Sequence, residues 1–295
     1  MINICGSSIE CENMGRRMPA VAGAFYPSSA DSLRMEIESC FQHGIGPGRL
    51  PKRFMGERKP PSLISPHAGY IYSGPVAAHS YLQLEDRVKP EVVVVLGPNH
   101  YGIGSPVSIY PEGEWITPLG SVKIDERLAL RLAELSDIFT LDEVSHLREH
   151  SIEVQIPFLQ YVLGEFKLLP ICLLDQGLKT CLEAGRCLAE ALKDYRSFLL
   201  VASTDLTHYE PDEVAKEKDS LALERIRELD VEGLYQVVRE KDISMCGYGA
   251  VAVVLEASRR LGAKKAEVLK HATSGDVTGD RSAVVGYAAV KMELE

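Results

Sequence analysis

The sequence contains no apolar run long enough to cross a membrane: the most apolar stretches, Val92 to Leu96 and Phe198 to Ala202, fall far short of the roughly 20 residues a spanning helix needs. It also lacks a secretory signal. Residues 1–16 (MINICGSSIECENMGR) carry Glu10 and Glu12 and no continuous apolar segment, so they read as a loose N-terminal extension. There is no surplus of positive charge: 32 basic against 42 acidic side chains give a net charge of −10. That balance disfavours nonspecific capture of nucleic acid or of an anionic membrane. The seven cysteines, spread from Cys5 to Cys246, form no CxxC pair. An odd, scattered set points neither to a disulfide framework nor to a ribbon-type zinc site, and fits a reducing cytoplasm. Internal repeats and linkers are absent as well; 44–62 (GIGPGRLPKRFMGERKPPS) reads as a long surface loop.

What remains is a soluble globular composition, with 45% hydrophobic and 25% charged residues over 295 positions, enough for a sizeable core. Strand-like and helix-like segments alternate throughout, which favours one α/β domain over 17–295. Periodicity predicts helices at 29–42, 74–84, 125–136, 152–163, 178–193, 213–229, 231–239 and 248–261. Strands are predicted near 62–65, 91–96, 166–174, 197–203, 267–272 and 283–292, with a hairpin-like piece at 106–123. Continuous apolar strands such as VVVVL and FLLVA imply a sheet covered by helices on both faces.

The chemistry lies just after those strands. Three of them run into short polar loops that carry histidine: LISPHAGYIYSG with His67, VVVVLGPNHYG with His100, and LLVASTDLTHYE with Asp205 and His208. Loops at the carboxyl ends of strands converge on the ligand crevice of an open α/β sheet, so side chains far apart in sequence can meet there. Gly69, Gly74, Gly97 and Gly102 flank the first two histidines and serve either close approach or ordinary turns. If STDLTHYE opens with a helical turn, Asp205 and His208 face the same side, and the carboxylate can orient the imidazole as a base. Cys246 precedes a predicted helix, whose positive end favours thiolate; a small buried residue at a helix start is the alternative. Cys40, Cys172, Cys181 and Cys187 fall in apolar patterns as core residues.

Glu149, His150 and Glu153 sit at a predicted helix start that Ser151 caps, as first-turn acids and a solvated histidine. His150 nevertheless stands as a substrate-binding candidate. His43, His79 and His146 have no supporting context, and His271 reads as core or surface. By residue type alone, His67, His100 and one of Asp205, His208 or Cys246 make a metal site with open positions. Two histidines with a carboxylate form the facial set of non-haem Fe(II) oxygenases, whereas two histidines with a thiolate suit zinc, copper or iron.

Seven ordered motifs resemble the Memo family, whose bacterial and archaeal members are called AmmeMemoRadiSam system protein B. They are RMPAVAGAFYPSS (17–29), SPHAGYIYSGPVAAHSY (65–81), LGPNHYG (96–102), EHSIEVQIPFLQ (149–160), STDLTHYE (203–210), MCGYGA (245–250) and SGDVTGDRSAVVGYAA (274–289). The resemblance implies a fold similar to class III (LigB-type) extradiol dioxygenases, with a central mixed β-sheet flanked by helices. It implies a metal site at His67, His100 and Cys246, with Asp205 and His208 beside it. It also implies partners of the AMMECR and radical-SAM types. Residues 1–16 lie outside the family pattern, so an internal start at Met14 or Met18 is open.

Where the dioxygenases place a glutamate, this sequence has Cys246, a softer and oxidisable donor that counts against catechol cleavage. The leading expectation is a cytoplasmic, metal-dependent redox protein: iron or copper on His67, His100 and Cys246, with His208, oriented by Asp205, moving protons. The alternative is a non-enzymatic module that holds a peptide or a metal in the same crevice. Zinc hydrolysis is a third reading.

Overall fold

The computed structural model describes residues 15–52 and 56–294. Most of the expected extension (1–14), including Cys5, Cys11 and Met14, lies outside the described residues, and Arg16 is already part of the sheet. In chain order the strands are β1 (Arg16–Arg17), β2 (Ser62–Ser65), β3 (Val92–Pro98), β4 (Val107–Ile109), β5 (Glu114–Thr117), β6 (Gly120–Ile124), β7 (Thr140–Leu141), β8 (Lys167–Leu173), β9 (Phe198–Ser203), β10 (His208–Glu210), β11 (Glu267–Thr273) and β12 (Val284–Met292). The helices are α1 (Ala30–Gln42), α2 (Tyr70–Leu82), α3 (Glu126–Leu135), α4 (Ile156–Leu163), α5 (Leu178–Ala191), α6 (Asp212–Arg227), α7 (Val231–Glu240), α8 (Tyr248–Arg260) and the single turn α9 (Gly275–Thr278).

Every residue of β3 and β9 is buried, and alternate side chains divide between two cores. Val92, Val94 and Leu96 join one apolar cluster and Val93 and Val95 the other; Leu200 and Ala202 separate from Leu199 and Val201 in the same way. Leu128, Cys181 and Val253 bring α3, α5 and α8 to the first face, while Leu33, Tyr81 and Phe158 bring α1, α2 and α4 to the second. This is the two-sided cover that continuous apolar strands require. The sheet is mixed, in the order β1-β5-β6-β8-β3-β9-β2-β12-β10, with β11 on β12. β6, β8, β3, β9 and β2 run parallel, and β12 runs against β2 and β11.

Local signals account for most boundaries. Ser29 caps α1, and Leu33, Ile37, Cys40 and Phe41 place one stripe in the core. The predicted start of α2 at 74 is corrected to Tyr70, because the amide of Tyr70 bonds Phe25 O and its buried hydroxyl donates to Val154 O at 2.6 Å. These bonds outweigh the breaking tendency of Gly74–Pro75. The hairpin-like segment resolves into the β5–β6 hairpin, with β4 paired instead to β8 and β7.

One buried ion pair joins Arg17, in β1, to the middle of the chain. The Arg17 guanidinium bonds the Glu153 carboxylate and the backbone oxygens of His146 and Glu149. Glu153, fully buried, also accepts from the amides of Ala20 and Val21 and from Tyr26 Oη at 2.6 Å. Truncating either partner leaves the other charged and dry. Glu153→Leu is expected to cost about 3–5 kcal/mol in urea unfolding; a loss below about 1 kcal/mol, the ordinary surface range, would contradict this role.

His146 is buried edge-on against both Tyr110 and Trp115. Burial, reinforced by the Arg17 charge, lowers its pKa to about 3. An unfolded histidine takes up its proton near pH 6.5, so this ring withdraws stability as pH falls from about 6.5 towards 3. His146→Phe should flatten the acid limb of a stability-against-pH curve over that window. An unchanged slope would show that the ring is not held neutral.

Candidate metal centre at the strand ends

Beyond the carboxyl ends of the parallel strands, the chain leaves β3 towards the β8 side and β9 towards the β12 side, opening a crevice between neighbouring strands. The crevice has a volume of about 820 Å³ and is lined by His67, His100, His150, Asp205, His208 and Cys246. All six sequence-predicted site residues therefore meet in one place. Phe25, Tyr72 and Tyr209 add aromatic surface to its walls.

His67 follows β2 directly and is 2% exposed. Its tautomer can be deduced from its neighbours. Gln155 Nε2 donates to Pro66 O and to Ser203 Oγ (2.9 and 2.7 Å), and Ser203 Oγ donates its only proton to Ser151 O at 2.5 Å. His67 Nδ1, 3.0 Å from the same Oγ, must therefore carry the proton. That leaves the lone pair on Nε2, 3.2 Å from Cys246 Sγ and within hydrogen-bond reach of it. Burial, and then the neighbouring His150 and His100, hold the His67 pKa well below 6.5, so the ring is neutral at pH 7.

The other two imidazoles share one carboxylate. Glu149, 1% exposed, accepts from His100 Nδ1 at 2.9 Å, lies 3.3 Å from His150 Nδ1, and accepts from the amides of His100, His150 and Ser151. Burial would raise the carboxyl, but the hydrogen bond from His100 and the two rings hold it down to about 2. An ionised carboxylate only accepts, so His100 presents Nδ1–H backwards and its Nε2 forwards, while His150 Nδ1 lies against the same oxygen at 3.3 Å. Burial lowers His150 to about 4, against the opposing Glu149 charge. His100 and His150 stack with centroids 4.6 Å apart, and one ligand atom from each of His67, His100 and His150 lies within 4.8 Å of the others.

Several expectations about this segment are corrected. Glu149 is a buried acceptor ahead of the helix rather than a first-turn acid, whereas Glu153 does open the helical segment, as the first residue of a 3-10 turn (Glu153–Gln155) running into α4, and is buried there. Ser151 does not cap a helix; its hydroxyl donates to Pro98 O at 2.9 Å, and α4 begins only at Ile156. Gly97 lets this happen, since a Cβ there would lie 2.5 Å from Ser151 Oγ and 3.1 Å from Ile152 Cγ1. Glu149 is the functional residue that sequence reasoning misjudged. The signal was its place directly before His150.

Asp205 and His208 do not sit on a helical turn: 204–207 is irregular and His208 opens β10. Asp205 Oδ1 accepts from His67 N at 2.8 Å, and burial raises its carboxyl. The His208 ring is oriented by Ser244 instead, whose carbonyl accepts from Nδ1 at 2.8 Å, again leaving Nε2 free. Cys246 stands just before α8, with Asp205 N donating to its sulfur at 3.2 Å. The expected acidification by the helix is overturned, since burial, and then the Asp205 charge, push the thiol up. Burial therefore favours the neutral thiol at Cys246; a metal ion bound there would displace the proton, which would leave to a base or to solvent.

The sequence matches the Memo-like protein family over residues 17–291. It is 50% identical over 281 residues to a MEMO1 family protein of Saccharolobus solfataricus, covering 94% of this chain and 99% of that protein. It is 48% identical over 276 residues to a MEMO1 family protein of Methanopyrus kandleri, covering 93% and 98%. A crystal structure of an uncharacterized protein from Escherichia coli K12 shares the fold with a TM-score of 0.52 at 19% identity, over 79% of this chain and 99% of that one.

The geometry makes Glu149 the part that aims two rings. Glu149→Gln retains the shape, but it removes the negative charge behind both rings and sets an amide NH2 against the His100 N–H that Oε2 accepts. Divalent-metal affinity, titrated on the purified variant, should fall about 10–100-fold with the fold retained by circular dichroism. Unchanged affinity would remove Glu149 from the site.

Proposed function

Since the chain belongs to the Memo-like protein family, we propose that it is a metal-dependent redox protein, with iron or copper held in the crevice by His67, His100 and His150. Cys246, beside His67, is a fourth donor. The observation that carries this reading is three imidazoles meeting at one crevice, with His67 Nδ1 bonded to Ser203, His100 Nδ1 bonded to Glu149 and His150 Nδ1 3.3 Å from the same carboxylate. Unpinned imidazoles would have to spend binding energy on ordering their rings. Nitrogen donors with an adjacent sulfur suit iron and copper, and zinc less specifically. When bound, such an ion supplies one-electron redox chemistry.

The chain's own groups supply the rest. His208, with Nδ1–H fixed to Ser244 O, offers Nε2 to take a proton from a hydroxyl in the crevice. Asp205 fixes the backbone of His67, and the aromatic walls limit water. A second reading, a non-catalytic module that binds a peptide or merely holds metal, is favoured by one contact. Cys246 and His67 already satisfy each other at 3.2 Å, so the pair does not require an ion.

The two readings separate by elemental analysis of anaerobically purified protein. The redox reading expects close to one equivalent of iron or copper, lost in His67→Ala, His100→Ala and His150→Ala, together with oxygen uptake on substrate screening. His208→Gln should keep its metal while turnover falls about 100-fold or more. Metal without oxygen uptake selects the module. No metal retained or taken up overturns the metal centre itself.

A further inference from the structure

A second cavity, of about 1160 Å³, opens at the opposite end of the sheet. Its floor is the amino-terminal edge of the parallel strands: Lys89 and Glu91 precede β3, Lys123 lies near the end of β6, and Lys167 starts β8. Arg34 from α1 and Arg127 from α3 complete a lining of five cations. Against them stand Glu91, Glu165 and Asp125. The carboxylate of Asp125 is already engaged: 2% exposed, it caps α3 through Leu128 N at 3.0 Å and accepts from Tyr195 Oη at 3.0 Å.

Two features distinguish this lining from scattered surface lysines. Lys123 and Lys167 are register partners on adjacent parallel strands, so their side chains leave the same face of the sheet side by side. Like charges so placed repel, and they do so in a protein of net charge −10, where acidic neighbours would have been the cheaper choice. Glu114, opposite Lys123 on β5, is itself engaged by Arg16 at 2.7 Å. In addition, Arg127 is held in place: its guanidinium lies 4.5 Å over the Tyr195 ring, and Tyr195 is anchored to the buried Asp125. Lys167 Nζ, with its side chain 58% exposed, reaches Asp125 only at 3.8 Å, which leaves it able to turn to a ligand.

We propose that this cavity is a binding site for a phosphorylated small molecule of nucleotide size, with Lys123, Lys167 and Arg127 as its anion-binding groups. The phosphates relieve the Lys123–Lys167 repulsion, and charge-assisted hydrogen bonds supply the affinity. The volume exceeds what a single phosphate fills, and Phe166 and Leu119 in the same lining provide apolar surface for the remainder of the ligand.

Isothermal titration of the full-length protein with ADP, pyrophosphate and inorganic phosphate tests this. ADP and pyrophosphate should bind saturably and more tightly than phosphate, with affinity falling as salt rises. Lys123→Glu and Lys167→Glu, both at exposed positions, should each weaken binding at least about tenfold, whereas His67→Ala and His100→Ala should leave it unchanged. Equal affinity for ADP and pyrophosphate supports a site that reads phosphates alone; tighter ADP supports contact with the rest of the nucleotide. Three results would overturn the proposal: no saturable binding at millimolar ligand, binding lost in the histidine variants but kept in the lysine variants, or binding of a hexaglutamate peptide with none of the phosphates.

Discussion

A carboxylate taken out of water costs several kcal/mol unless donors surround it, and two such carboxylates lie four residues apart in this chain. Glu153 is neutralised by Arg17 and accepts three further bonds from the segment 20–26. Arg17 in turn grips the carbonyl of Glu149. The backbone of 146–153, an irregular loop between two 3-10 turns, is thereby clamped against the mouth of β3. Only a fixed backbone can aim the Glu149 side chain, and Glu149 aims both His100 and His150. The Arg17–Glu153 ion pair and the ring orientation in the crevice are consequences of one buried network.

The same network sets the electrostatics. Three imidazoles packed within van der Waals reach repel when protonated, and burial adds its own penalty to the charged form. His67 and His150 are both driven down for these reasons, so these two rings stand as neutral lone-pair donors at physiological pH. A lone buried carboxylate beside them would do the opposite and recruit protons. Glu149 avoids this because its oxygens are saturated by backbone amides as well as by the rings, which keeps it ionised and confines it to accepting. Cys246 is left as the one group whose protonation an ion would change.

The sheet, its two-sided burial and the convergence of His67, His100, Asp205, His208 and Cys246 were legible in sequence, because continuous apolar strands and strand-end loops are local signals read out by topology. The partners of those side chains were not. Asp205 was expected to serve His208 and instead holds His67 N, since the segment after β9 runs extended rather than helical. Ser151 was expected to cap a helix and instead bonds Pro98 O, because Gly97 permits a contact that only tertiary packing creates. Glu149 reads as an ordinary first-turn acid until Arg17, 132 residues away, is seen to bury that stretch. Long-range burial decides what a polar residue does, and spacing does not encode it.

The two ends of the parallel strands carry opposite chemical character. At the carboxyl ends, the crevice gathers imidazoles, a thiol and buried acceptors, a surrounding in which a bound cation is stabilised by lone pairs and by the ionised Glu149 behind them. At the amino ends, Lys123 and Lys167 stand side by side above a floor whose one buried carboxylate is already engaged by Tyr195. Charge of one sign placed against itself persists only where other interactions outweigh the repulsion or where a counter-charge visits. In the crevice, burial outweighs it by disfavouring the charged forms of His67 and His150; the two lysines, at an exposed edge, have no such cover. An anion there would lower the energy of the lysine pair, which is the interaction the proposed second site rests on.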